Sequence, residues 1–126
     1  MKNIFIERTR RTPEISLNIN GMISISGMSI PENPSEFYQP ALSWLDQFKM
    51  LEPVSVVIKV HLAYINTSSM YIVLKFLKKA VSIPSAKDLT KITWIHDADD
   101  DDMIEQGNIM QRLVGVPFIF EEVEAV

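Results

Sequence analysis

Polar and apolar residues alternate twice near the start of the chain. Ile15, Leu17 and Ile19 form one set, and Ile23 and Ile25 form a second. A period of two marks a strand with one buried face. Asn20-Gly21 lies between the sets and signals a hairpin. A two-residue turn would pair Leu17 with Ser24 and put the isoleucines on opposite faces. A three-residue loop, Ile19 to Gly21 with Gly21 at positive φ, pairs Leu17 with Ile23 and Ile15 with Ile25. All four then share a face. Register follows the buried face, so the bulged loop is predicted.

The period then changes. Asn33, Pro34 and Glu36 fit an N-cap, a first helical residue and a capping-box partner. Phe37, Ala41, Trp44 or Leu45, and Phe48 supply the apolar stripe of a helix. Pro40 removes one backbone donor, so the helix either kinks there or becomes regular from that point; Pro53 marks a stop. Val54 to Leu62 is the strongest strand pattern. Its even-numbered residues form an apolar face, while Ser55, Val57, Lys59 and His61 form a face partly open to water. A second helix runs from Asn66–Ser69 to about Ser82, with Lys75, Lys78 and Lys79 toward its C-terminal end, where the dipole favours cations. Ile83-Pro84-Ser85 reads as a loop, and Leu89 to His96 alternates again with Ile92 and Trp94 on one face. A third helix spans about Asp100 to Val114, and Phe118-Ile119-Phe120 closes the chain as a short strand.

Strands alternating with helices imply parallel crossovers on one sheet, here preceded by an antiparallel hairpin. The expected fold is α/β, a single domain over residues 1–126. Its mixed sheet has about five strands, with helices mainly on one face.

Composition narrows the function. The chain has 126 residues and 47% hydrophobic content, which fits one globular domain. A net charge of −4 argues against nucleic acid, whose phosphates select basic surfaces. There is no cysteine, so disulfides, thiol nucleophiles and cysteine-based metal sites are excluded; a reducing cytoplasm fits. No apolar run approaches the ~20 residues of a membrane span. The expectation is a protein without cofactor, a monomer or a weak homodimer through the open sheet face or edge.

Catalytic signals are thin. Ser68, His96 and Asp99 could be assembled into a hydrolase triad, but such triads are defined by geometry, which spacing does not supply. The two histidines, His61 and His96, fit ordinary packing or surface placement. The run Asp97 to Asp102 lacks calcium-loop spacing and coincides with a predicted helix start, where carboxylates are favourable.

The stretch Asn66-Thr67-Ser68-Ser69 carries more. It places four small polar residues, three of them hydroxyls, at a strand-to-helix corner. Asn66 or Thr67 can cap the helix, a role worth about 1 kcal/mol. One cap needs one residue, so the remainder form a hydrogen-bonding rim. A phosphate on Thr67 would sit at the positive end of the helix and add about −1.5 to −2 charge. Capping and a phospho-switch both fit these residues.

The segments "TPEI", "SGMSIPENPSEFYQPALSWL", "AYINTSS", "ITWIHDADDDDMIEQG" and "PFIF" occur in this order from Thr12 to Phe120. Together they resemble the SiaC family of bacterial regulatory phosphoproteins, which are STAS-like. The resemblance implies a non-enzymatic switch. In that family a partner-switching kinase phosphorylates a threonine of the NTSS motif, and a PP2C-type phosphatase removes the phosphate. The resemblance implies that the unphosphorylated form activates a diguanylate cyclase and so tunes cyclic-di-GMP and biofilm formation. Carried over by residue, the acceptor is Thr67, flanked by Asn66 and Ser68. Ser69, Glu32 and Asn33 complete the expected partner surface. Wider STAS proteins commonly show Asp-Ser-Ser-Gly at this corner. Asn66 and Ser69 replace the first and last of these, which argues against direct transfer of anti-sigma partners. The alternative is a small-ligand or nucleotide-binding STAS-like module.

Overall fold

The computed structural model describes residues 1–124. Strand β1 (Ile4–Ile6) is followed by β2 (Glu14–Leu17) and β3 (Met22–Ser29). Helix α1 (Pro34–Met50), β4 (Val56–Ile65), α2 (Thr67–Val81), β5 (Thr90–Asp97), α3 (Asp101–Val114) and β6 (Ile119–Val123) complete the chain. The sheet has six strands in the order β1-β2-β3-β4-β5-β6. The first three are antiparallel and the last four parallel, with β3 belonging to both sets.

The hairpin has the register that its buried face demands. Ile15 pairs with Ile25 and Leu17 with Ile23, and all four are buried. Asn18 N–H donates to Met22 O at 3.0 Å, leaving Ile19 to Gly21 as the loop. Gly21 has φ +96°. A Cβ there would collide with the Ser55 carbonyl, while Gly21 O accepts from Val57 N–H at 2.8 Å. The loop is therefore a docking point between β3 and the start of β4, and glycine is required there. Ile19, by contrast, is half exposed.

The parallel crossovers each advance one strand in the same direction. Right-handed connection then puts α1, α2 and α3 on one face, where α2 packs between the other two. The core lies between this layer and the sheet. One row across it, Ile25–Val60–Trp94–Phe120, shows the alternation in three dimensions. Trp94 Nε1 donates to Met103 O at 2.9 Å, tying β5 to α3. The small residue that lets α3 approach so closely is Gly107, which faces Trp94 and Phe120.

Several boundaries differ from the sequence expectations. The sheet gains β1, whose three residues alternate too briefly to declare themselves. Ile4 and Ile6 pack toward the core, Phe5 is exposed, and Trp44 Nε1 holds the segment by donating to Lys2 O at 2.9 Å. Strand β4 starts at Val56, leaving Val54 exposed before the strand. It also runs on to Ile65, because pairing with β3 resumes past a bulge: Gly27 pairs with Leu62 and Met28 with Tyr64. Helix α1 continues unbroken through Pro40, beginning at the Asn33 cap. The loop after α2 tightens into a 3-10 turn, Pro84–Leu89.

Tyr38 is fully buried on α1, and its hydroxyl shares a 2.6 Å hydrogen bond with Ser29 Oγ. Burial pushes its pKa up to about 12, the Ser29 bond opposing only in part. A raised folded-state value means that the protonated phenol is favoured by folding. That stability is intact below the unfolded value near 10 and lost as pH rises toward 12. A shift of that size corresponds to about 3 kcal/mol. Tyr38→Phe should lower stability at neutral pH by about 1–2 kcal/mol, because Ser29 Oγ loses its partner. Between pH 10 and 12 the variant should lose less stability than the wild type. Urea midpoints across pH check both statements, and parallel pH curves would refute the second.

Candidate functional site

The loops that follow β3, β4 and β5 gather at one edge of the sheet, where each helix begins. The three helix starts are built alike. Asn33 Oδ1 accepts from Glu36 N–H at 3.1 Å, Asn66 Oδ1 from Ser69 N–H at 2.9 Å, and Asp100 Oδ1 from Met103 N–H at 3.1 Å. The structure thus assigns the α2 cap to Asn66. Its backbone is held from both sides, by Asn66 N–H donating to Ser29 O at 3.1 Å and Met70 N–H donating to Asn66 O at 3.0 Å. The buried Tyr38–Ser29 pair stands behind that contact, so the corner is anchored to both α1 and β3.

Thr67 is the first residue of α2 and is exposed, as is Ser68. Their N–H groups are among the donors that a helix start leaves without an intrahelical partner. A group on the Thr67 side chain therefore projects to solvent at the positive end of the helix. Glu32 and Asn33 are exposed at the neighbouring helix start, so the structure brings them to the same edge as Asn66, Thr67 and Ser68. Ser69 does not join them. It is fully buried, and its Oγ has no hydrogen-bond partner among the described residues. At the third helical position its side chain turns under the helix, so only its backbone serves the corner.

Thr67 also heads an apolar groove that the sequence reading missed. Met70, Tyr71 and Leu74 of α2 line one side, and Ile109, Met110 and Leu113 of α3 the other, enclosing about 170 Å³. Tyr71 and Leu113 are 70% and 51% exposed, and together they put apolar surface on both walls of the groove. A signal existed in the helical spacing of Thr67, Tyr71 and Leu74, but separating an outer stripe from a core stripe required the position of α3.

The triad geometry does not form. His96 is buried and its Nδ1 lies 3.1 Å from Asp97 O, and no hydrogen bond joins Ser68, His96 and Asp99 among the described residues. In the acidic run Asp100 caps α3 and Asp101 and Asp102 occupy its first turn. Among the described residues no group of three or more His, Asp or Glu is placed to hold a metal ion. No described helix is long and apolar enough to cross a membrane.

Comparison with known proteins decides the family. The family model described as SiaC family regulatory phosphoprotein matches residues 6–123. The chain belongs to the SiaC family. That family is one of regulators rather than catalysts. An uncharacterized protein of Pseudomonas aeruginosa strain UCBPP-PA14 is 23% identical over 122 residues, 96% of this chain and 97% of that protein. Two crystal structures from Pseudomonas aeruginosa share the fold. One is diguanylate cyclase SiaD in complex with its activator SiaC, with a TM-score of 0.85 and 22% identity over 95% of this chain and 99% of the matched one. The other is apo-SiaC, with a TM-score of 0.80 and 22% identity over 99% and 100% of the two chains.

The Asn66 cap gives a direct prediction. Asn66→Ala should destabilise the protein by about 1 kcal/mol, while Asn66→Asp should retain most of the stability, since a carboxylate also caps. Urea denaturation of the three proteins checks this; equal loss in both variants would show that Asn66 acts otherwise.

Proposed function

We propose that this SiaC-family member is a non-enzymatic cytoplasmic switch whose unphosphorylated form binds and activates a diguanylate cyclase. A partner kinase transfers the terminal phosphoryl group of ATP to Thr67 Oγ1, which releases its proton. A PP2C-type phosphatase returns the hydroxyl by hydrolysis. The output is the level of cyclic-di-GMP, and with it biofilm formation. The observation that carries this reading is Thr67 itself: an exposed hydroxyl on a rigidly capped helix start, at the head of an apolar groove. The SiaC relative's complex with the cyclase SiaD supports the choice of partner.

Thr67 belongs to both the groove and the corner; Asn66 and Ser68 flank it in sequence, and Glu32 and Asn33 stand at the neighbouring helix start. A partner seated on Tyr71 and Leu113 would cover Thr67. A dianion placed there must either be desolvated under the partner or hold it off, and the desolvation of unpaired charge is costly.

The acceptor is tested by incubating wild type and Thr67→Ala with the cognate kinase and ATP, then weighing the intact proteins. Wild type should gain the mass of one phosphate and the variant none. Equal gain by both would move the acceptor elsewhere.

A further inference from the structure

The sheet face opposite the helices carries a second built feature. Arg8, Gly27, His61, Ala63, Asp97, Val123 and Glu124 line a cleft of about 680 Å³ near the C-terminal ends of β3, β4 and β5. Its floor holds two small residues, Gly27 and Ala63. Gly27 has φ +116°, and a Cβ there would lie 3.1 Å from Arg8 Nε. Ala63 is the extra residue of the β-bulge opposite. Bulges of this kind re-aim side chains beside binding sites. Glycine thus allows the guanidinium to lie on the strand, where Arg8 Nη2 donates to Ser26 Oγ at 3.0 Å. On the far wall His61 Nε2 stands 3.3 Å from Asp97 Oδ1 across neighbouring strands.

The charges of this cleft are held apart. Arg8 forms no ion pair among the described residues, and Asp97 pairs only with His61. Arg8 keeps several guanidinium donors unused, and Asp97 keeps a second carboxylate oxygen. Glu124 adds a second acid to the lining. Opposite charges lining one cleft without touching match a ligand that carries both signs itself. A lone anion would meet the acids, and a lone cation would meet the guanidinium. We propose that the cleft binds a small zwitterion of the α-amino-acid type, its carboxylate on Arg8 and its ammonium on Asp97 and Glu124. This site lies on the opposite face of the sheet from the groove and shares no lining residue with it.

The test uses the full chain and the standard L-amino acids, each added singly at millimolar concentration. Backbone amide NMR reports the site, and calorimetry reports affinity. At least one amino acid should shift the amides of Ala63 and Asp97. Arg8→Ala and Asp97→Asn, both on exposed or half-exposed residues, should each weaken its binding by about tenfold or more. The N-acetyl and methyl-ester forms of the same amino acid, each lacking one charge, should bind as weakly. The proposal is overturned if no amino acid moves those amides, if both variants bind as wild type, or if the blocked forms bind equally well. A nucleotide that displaces the amino acids at this cleft would likewise replace the assignment.

Discussion

Thr67→Asp should weaken binding to the cognate diguanylate cyclase at least about a hundredfold, ~3 kcal/mol, and abolish its activation. Thr67 stands at the rim of the apolar groove, beside exposed Tyr71. A partner lying on that groove excludes water from the rim, and a carboxylate left there loses its hydration. The aspartate keeps the fold, because the first helical turn favours negative charge. Loss of binding would therefore come with unchanged or raised thermal stability, which separates it from misfolding. Thr67→Ala should bind and activate like the unphosphorylated wild type, since it removes only a hydroxyl. Titration calorimetry and cyclase rates measure both variants. If Thr67→Asp activates as well as Thr67→Ala, the corner is not the docking surface.

The second large effect concerns the scaffold. Gly107→Ala should destabilise the protein by about 1–3 kcal/mol. Helix propensity alone predicts the reverse, a gain of about 1 kcal/mol in a helix interior. The difference lies in packing. A Cβ on Gly107 would stand 2.5 Å from Trp94 Cδ1, 2.6 Å from Trp94 Nε1 and 2.7 Å from Phe120 Cε1. Trp94 is buried and committed to its Met103 hydrogen bond, so it cannot swing aside without loss. Either α3 moves away from the sheet or the indole gives up its partner. The melting temperature should fall by roughly 10 °C. A rise would mean that α3 packs less tightly than described.

These two residues differ in how far the sequence discloses them. The exposed place of Thr67 at a helix start is legible, because a cluster of hydroxyls after a strand is chemically conspicuous. The Asn33 cap and the hairpin register were visible for a local reason: each is fixed by residues within a few positions. What stayed hidden depended on distant neighbours. Gly107 looks like any helical glycine until Trp94 and Phe120 are placed above it. Ser69 belongs to the polar cluster in sequence, yet helix phase turns it inward, and only a position three residues into α2 explains why. Strand β1 is held by Trp44, far along the chain, and its own three residues give too short a pattern. The cleft with Arg8, His61 and Asp97 joins three separate segments and needs a bulge that no spacing announces.

The switch is tested most directly with the phosphate itself. The protein phosphorylated on Thr67 by its kinase, and the same sample after phosphatase treatment, are titrated against the cyclase by calorimetry. The phosphorylated form should bind at least about a hundredfold more weakly, and dephosphorylation should restore both affinity and cyclase activation. Equal dissociation constants for the two forms would contradict the account.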